Sequence, residues 1–200
     1  MRGCVAPLQN VSRLELSIET EVKVSIEHAE DFCRELQTLN PEVISARHFE
    51  DNHLLDFADR RIASSRSLIR VRLVDGQHSF TYKGPPRRDG IFKSREELET
   101  SIADGVMLLQ ALERIGLSVY FRYQKYRREY LLDGVHVAVD ETPIGNYVEL
   151  EGSELGIVAA AGKMRIARPR FLRSSYYSLY LEYCNARGVT PGFMVFESDT

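Results

Sequence analysis

The chain has 200 residues, a formal net charge of −3 and a hydrophobic fraction of 44%. That length suits one large domain, because chains commonly split only beyond about 250–300 residues. Near-neutral charge gives no basis for non-specific binding to nucleic acid or membranes, and no apolar run approaches the ~18 residues of a membrane span.

The opening "MRGCVAPLQNVSRLELS" lacks the continuous apolar core of a signal peptide, so residues 1–13 are expected to be a flexible tail. Leu14 to Val24 predicts a strand. Within "IETEVKV", Glu19, Glu21 and Lys23 alternate with Thr20, Val22 and Val24, which places three charges on one face. "SIEHAEDFCRELQTLNP" predicts a helix with Ser25 as its N-cap and His28 at the third helical position. Ala29, Phe32, Cys33 and Leu36 form its apolar stripe, and Pro41 marks its end. "EVISARHFED" and "NHLLDFA" read as a strand and a short extended piece, and "DRRIASSRS" as a polar loop. "LIRVRLV" and "HSFTYKG" flank Asp75-Gly76, a strong hairpin signal, and "GPPRRDG" is a turn-rich loop.

"IFKSREELE" predicts a strand, with Glu96–Leu98 also compatible with helix. "TSIADGVMLLQALERIGL" predicts a helix whose stripe is Ile102, Val106, Leu109, Leu112 and Ile115, capped by Gly116. "SVYFRYQKYRREYLL" and "VHVAVDE" form a second hairpin turning at Asp133-Gly134, and "GNYVELEG" is another strand. "SELGIVAAAGKMRIA" and "SSYYSLYLEYCNARG" are helices, the latter ending at Gly188. About eight strands and four helices, joined mostly by hairpins or single-helix excursions, imply an antiparallel α+β domain over residues 14–188. A barrel or strongly curled sheet is the expected form, followed by a tail over 189–200. Cys4, Cys33 and Cys184 form no C-x-x-C pair and suggest neither zinc nor a disulfide framework. Reduced thiols in a cytoplasmic protein are the simplest account.

The charged face of the first strand recurs. Arg70 and Arg72 share a face, as do Lys83 with Thr81, and Lys93 with Arg95, Glu97 and Glu99. Lys125, Arg127 and Glu129 lie together, as do His136, Ala138 and Asp140, and Tyr147, Glu149 and Glu151. If the sheet closes with the amphipathic helices outside, acids and bases of six strands point inward. Desolvating charges costs several kcal/mol each, so such an interior requires a reason. A polyanion held with metal ions supplies one. Guanidinium and ammonium groups match phosphate oxygens, and carboxylates hold Mg²⁺ or Mn²⁺. A sandwich with one solvated face gives the same periodicity, which does not reveal which way the face points.

Six segments in this order resemble the CYTH family, which groups class IV adenylyl cyclases with thiamine triphosphatases among the triphosphate tunnel enzymes. They are Glu-x-Glu-x-Lys at Glu19, Glu21 and Lys23; "LIRVR" with Arg70 and Arg72; and "TYKGP" with Lys83. "REELE" follows with Arg95, Glu97 and Glu99, then "KYR" with Lys125 and Arg127. The last is "DETPIGNYVELE" with Asp140, Gly145, Tyr147, Glu149 and Glu151. The resemblance covers about residues 16–187, includes a terminal "SSYYSL", and is nearest the cyclase-type branch. The aromatic-Asp-Thr segment of many members has only "HLLDFADRR" as its counterpart, with Asp56 followed by Phe57.

The resemblance implies an eight-stranded antiparallel barrel forming a tunnel with flanking helices. It implies triphosphate binding by Lys23, Arg70, Arg72, Lys83, Arg95, Lys125 and Arg127. It implies metal binding, by Mg²⁺ or Mn²⁺, at Glu19, Glu21, Asp140, Glu149 and Glu151, with Glu97 and Glu99 as secondary candidates. Glu19, Glu21 and Lys23 become the catalytic candidates. Two enzyme readings share this site: a cyclase converting ATP to cyclic AMP and pyrophosphate, and a triphosphatase releasing orthophosphate. A module that senses triphosphate or polyphosphate without turnover is the third reading, which the many acids argue against. The expected partner is a triphosphate-containing small molecule, with no nucleic acid or membrane. The chain is expected to be a monomer or a homodimer, the dimer being implied by the cyclase-type branch. His28, His48, His53, His78 and His136 form no ligand spacing, and only His136 shares a face with a site candidate.

Overall fold

The computed structural model describes residues 17–87 and 90–197, so the expected tail over 1–13 and strand residues 14–16 lie outside it. In chain order the elements are β1 (Ser17–Ile26), α1 (Ala29–Gln37), β2 (Glu42–Phe57), α2 (Arg61–Ser64), β3 (Leu68–Val74) and β4 (Gln77–Lys83). They continue with β5 (Lys93–Ile102), α3 (Gly105–Arg114), β6 (Leu117–Leu132), β7 (Val135–Thr142), β8 (Gly145–Glu151), α4 (Glu154–Lys163) and α5 (Tyr176–Arg187). The strands form a closed antiparallel barrel in the order β1-β5-β4-β3-β2-β6-β7-β8. β1 closes it by pairing on both sides. Glu19 lies opposite Arg95 of β5, and Lys23 opposite Glu149 of β8.

The two hairpins stand where the turn chemistry predicts. Asp133 and Gly134 both have positive φ, 51° and 76°. That two-residue geometry matches the twist of the flanking strands. The α5 helix is also as expected, with the Ser175 side chain accepting from the Ser178 N–H and Gly188 at φ 66° ending it.

Several boundaries differ from the sequence reading for physical reasons. Ser25 is not a helix cap: β1 runs on to Ile26 because β8 offers Tyr147 and Asn146 as partners, and His28 precedes α1 instead. β2 is one strand of 16 residues rather than two pieces. Register shifts at Val43/Ser45, Ser45/His48 and Leu54/Leu55 interrupt its period of two. Residues 96–98 are strand, since Glu96, Glu97 and Leu98 pair with β1 and β4. The α3 helix starts at Gly105 behind Asp104, whose carboxylate accepts from the Met107 N–H, while Ile102 stays in β5. Its packed side chains are Leu108, Leu109 and Leu112, whereas Val106 (52%) and Ile115 (68%) are exposed.

Where the helices pack, the outer face of the barrel is apolar. Val22 and Val24 of β1, Val135, Val137 and Val139 of β7, and Val148 and Leu150 of β8 pack beneath Cys33 and Leu36 of α1 and Ile157, Ala160 and Ala161 of α4. Leu55, Val71 and Leu117 pack beneath α3. Helices on the outside leave the charged faces of β1, β3, β5, β6 and β8 pointing inward, one of the two arrangements compatible with the periodicity. The segment after α5, expected as a tail, runs along β6 as far as it is described. Met194 is buried, its N–H donates to the Arg122 carbonyl at 3.0 Å, and its carbonyl accepts from the Gln124 N–H at 2.9 Å. No helix among the described residues is long and apolar enough to cross a membrane.

Asp56 accounts for α2, where the sequence suggests only a loop. Its buried carboxylate accepts backbone N–H bonds from Phe57 (2.8 Å), Ile62 (3.1 Å) and Ala63 (2.9 Å). It therefore anchors the turn after β2 and takes no place among the cavity side chains. Asp56→Ala strands three donors and should cost about 2–3 kcal/mol of stability, read as a lower urea midpoint at unchanged slope. A midpoint equal to that of the wild type would remove Asp56 from this role.

Candidate functional site

The barrel encloses a cavity of about 470 Å³. Its charged lining comprises eight bases, Lys23, Arg70, Arg72, Lys83, Lys93, Arg95, Lys125 and Arg127, and seven acids, Glu19, Glu21, Glu97, Glu99, Glu129, Glu149 and Glu151. Every phosphate- or metal-binding candidate from the sequence lines this space except Asp140. That carboxylate is fully buried behind the lining. It accepts from Lys125 Nζ at 3.0 Å, from Arg127 Nε and Nη2 at 2.7 Å each, and from the Tyr176 hydroxyl.

Most charges have opposite-sign partners. Lys83 Nζ donates to both oxygens of Glu19 at 2.6 and 2.7 Å and lies 2.9 Å from Glu97. Lys93 Nζ donates to Glu21 at 2.7 Å. Glu149 accepts from Lys23 and from Arg127. Arg70 Nη2 donates to Thr81 at 3.1 Å and to Glu99 at 3.0 Å. Among the described residues that line the cavity, two buried donors have no hydrogen-bond partner, Nε of Arg70 and Nε of Arg95. The latter sits 3.6 Å from Glu19, too far for a bond.

The electrostatics divide the acids into two groups. Burial alone would raise the Glu149 carboxyl, but Lys23, Arg127 and Lys125 hold it well below its usual range. Glu21 is likewise lowered against burial by Lys93 and Lys23. Glu19 instead is raised, by burial and by Glu21, against the pull of Lys83. Glu151 rises to about 7, through burial and repulsion from Glu19, Glu97 and Glu21, partly offset by Lys83. Glu21 and Glu151 are direct cross-strand neighbours, so two like charges face each other with Glu19 one repeat along β1.

Among the described residues no three His, Cys, Asp or Glu side chains gather as a ready-made metal cage. The donor set nevertheless fits a hard cation. Mg²⁺ is commonly held by one or two carboxylates completed by substrate phosphates, and the Glu151 carboxyl stands across from Glu21, with Glu19 one repeat along β1.

Sequence reasoning left several residues out of the site. Lys93 was visible on the correct face, one repeat before Arg95. Glu129 also lines the cavity, with His136 Nε2 3.7 Å from it. Glu50 and Asn52 of β2 are buried behind the lining, and their charged neighbourhood carried no signal because the strand's alternation is broken. At one end Tyr123 and Tyr176 enter the wall, their rings 5.7 Å apart. Lys23 Nζ lies 4.4 Å from the Tyr176 ring centroid.

A closed eight-stranded tunnel lined by paired acids and bases is the architecture of triphosphate tunnel proteins. The CYTH domain model matches residues 17–157, and the chain belongs to that family. A protein of Methanocaldococcus jannaschii named as a candidate adenylate cyclase is 27% identical over 173 residues, 81% of this chain and 98% of the relative. Among solved structures, a candidate adenylate cyclase of Vibrio parahaemolyticus aligns with TM-score 0.72 at 18% identity, over 86% of this chain and 99% of that one. A Hippeastrum protein, described as a candidate adenylyl cyclase with a dominant triphosphatase activity, aligns with TM-score 0.61 at 16% identity, over 87% and 97%.

The raised Glu151 carboxyl makes a stability prediction for the metal-free protein. Its folded value, about 7, lies above its ordinary 4.5, so folding favours the protonated form. The wild type should therefore lose stability as pH rises from about 4.5 to 7. Glu151→Gln, neutral throughout, should melt higher than the wild type at pH 8 in a chelator. The advantage should shrink towards pH 5. A Tm difference independent of pH would contradict the assigned repulsion.

Proposed function

We propose that this chain is a divalent-metal-dependent enzyme that binds a triphosphate-containing small molecule inside the barrel. The near balance of acids and bases in the lining carries this reading. A bare triphosphate, with several negative charges, would meet almost as many acids as bases. A metal–triphosphate complex presents anion to the bases and cation to the acids, so it satisfies both. The Nε groups of Arg70 and Arg95 support the same reading, since each is a buried donor without a hydrogen-bond partner on a side chain that lines the cavity.

Lys23, Arg70, Arg72, Lys83, Arg95, Lys125 and Arg127 bind the phosphate chain, with Lys93 added to this set. Glu19, Glu21 and Glu151 hold Mg²⁺ or Mn²⁺, with Glu149 in reserve behind its two bases and Glu97 and Glu99 at the periphery. Asp140 acts differently from its first assignment. With four donors already on it, it orients Lys125 and Arg127 instead of ligating metal. The metal, when bound, shields phosphate charge and polarises a phosphorus–oxygen bond. The chain's own residues hold the phosphates in line and stabilise the charge that spreads over them in the transition state.

The reaction we favour is that of a class IV adenylyl cyclase, in which the ribose 3′-hydroxyl attacks the α-phosphorus of ATP and pyrophosphate leaves. The relative aligned over nearly its whole length supports it by name. A triphosphatase is the second reading. It is favoured by the lining itself, in which phosphate- and metal-binding groups predominate and the Tyr176 hydroxyl is already committed to Asp140.

The test incubates the purified protein with Mg²⁺ or Mn²⁺ and, separately, ATP, inorganic triphosphate and thiamine triphosphate. Cyclic AMP plus pyrophosphate identifies the cyclase, and orthophosphate without cyclic AMP the triphosphatase. No turnover, with tight triphosphate binding in chelator, would overturn the enzyme reading in favour of a sensor. Glu21→Ala should abolish metal-dependent turnover; wild-type rates at saturating Mg²⁺ would remove it from the metal site. Arg72→Ala should weaken triphosphate binding roughly tenfold to a hundredfold by calorimetry, the worth of a charge-assisted hydrogen bond.

A further inference from the structure

We propose that Glu50, supported by Asn52, is a positioning residue that sets Arg72, Lys125 and Arg127 for the phosphate chain; this rests on the triphosphate-binding reading above. β2 lies between β3 and β6, so an inward side chain at its centre reaches bases from both neighbours. Glu50 is 1% exposed and does not line the cavity. Its carboxylate lies 3.2 Å from Arg72 Nη1, 3.4 Å from Lys125 Nζ and 3.9 Å from Arg127 Nε. His48 Nε2 approaches to 3.6 Å, and Asn52 Nδ2 donates to it at 3.3 Å.

Asn52, also fully buried, turns its other end to the same arginine. Its Oδ1 accepts from Arg72 Nε at 3.0 Å. Arg72 is thus hydrogen-bonded at Nε by Asn52 and ion-paired at Nη1 with Glu50, so its guanidinium is held at two of its nitrogens. Lys125 is held between Glu50 on one side and Asp140 on the other. A flexible base spends entropy to engage a phosphate, and a base already held loses less. Glu50 therefore acts on the ligand through the bases in front of it.

The competing role, simple charge neutralisation, predicts the opposite sign. Glu50→Gln removes a negative charge behind three bases, so on charge alone it should tighten anion binding. Loss of orientation should weaken it. Calorimetry with inorganic triphosphate and Mg²⁺, on protein whose melting confirms folding, should give at least tenfold weaker binding for Glu50→Gln. Asn52→Ala, which leaves Glu50 charged, should weaken binding several-fold. Because the one base Asn52 bonds directly is Arg72, Asn52→Ala should have a clearly smaller effect on the Arg72→Ala background than on the wild type, a coupling that general destabilisation would not produce. Tightened or unchanged affinity, or full additivity with Arg72→Ala, overturns the proposal. If Glu50→Gln fails to fold, the Asn52→Ala cycle decides alone. A wild type that binds no triphosphate would overturn the functional reading and this proposal together, whereas wild-type binding with indifferent variants would overturn the proposal only.

Discussion

Everything in this molecule depends on β1 pairing along both of its edges. Without that closure the charged faces of the strands would line a solvated trough, and their ion pairs would contribute little. With it, Glu19 meets Arg95 across one seam and Lys23 meets Glu149 across the other. The same closure determines where the apolar residues go. Val22 and Val24 alternate with the charged residues of β1, so turning the charges inward turns the valines outward, under α1 and α4. One hydrogen-bonding choice thus creates both the hydrophobic core and the polar cavity.

The cavity solves its desolvation cost by mutual pairing. Lys83 sits on Glu19, Lys93 on Glu21, and Lys23 and Arg127 on Glu149. Buried pairs of this kind are weak contributors to stability, but breaking one side leaves an uncompensated charge. A ligand that engaged only the bases would strand the acids, and a cation that engaged only the acids would strand the bases. A metal–phosphate complex, the ligand proposed above, would exchange both halves of each pair at once. Coupling between metal and anion would then come from the electrostatics of the wall itself, with no moving element required.

The sequence was most readable where alternation was unbroken. On β1, β3, β5, β6 and β8 the period of two identified the inward charges directly, and closure merely supplied their direction. Asp140 was legible as inward-facing but not as enclosed, because its enclosure depends on Tyr176, 36 residues away, arriving from α5. Glu50 and Asn52 were hidden for a different reason. "RHFEDNH" is polar on both faces, since Asp51 on the outer side is itself held by Arg122 at 2.6 Å. With bulges on either side of that stretch, nothing in the spacing marked which charges turn inward. Asp56, read in sequence only as part of a short extended piece and the nearest counterpart of the family's aromatic-Asp-Thr segment, is likewise unmarked by spacing, because the three backbone donors that converge on it come from the turn that follows.

The C-terminal segment belongs to the site even though the family match ends at residue 157. β5 begins at Lys93, opposite Glu21, so beyond that point β1 has no strand partner on that edge. Leu172 fills the place: its N–H donates to the Lys23 carbonyl at 2.8 Å, and its carbonyl accepts from the Lys23 N–H at 2.9 Å. The chain then enters α5, whose first residue, Tyr176, packs against Tyr123 and Tyr147 and caps Asp140. Lys23 is therefore fixed by its backbone through Leu172 and by its side chain through Glu149, with the Tyr176 ring beside its ammonium. A barrel whose strands alone left that seam open would admit water beside Lys23 and weaken each charge contact around it. The segment from Leu172 to Tyr176 is what makes the charged end of β1 an interior.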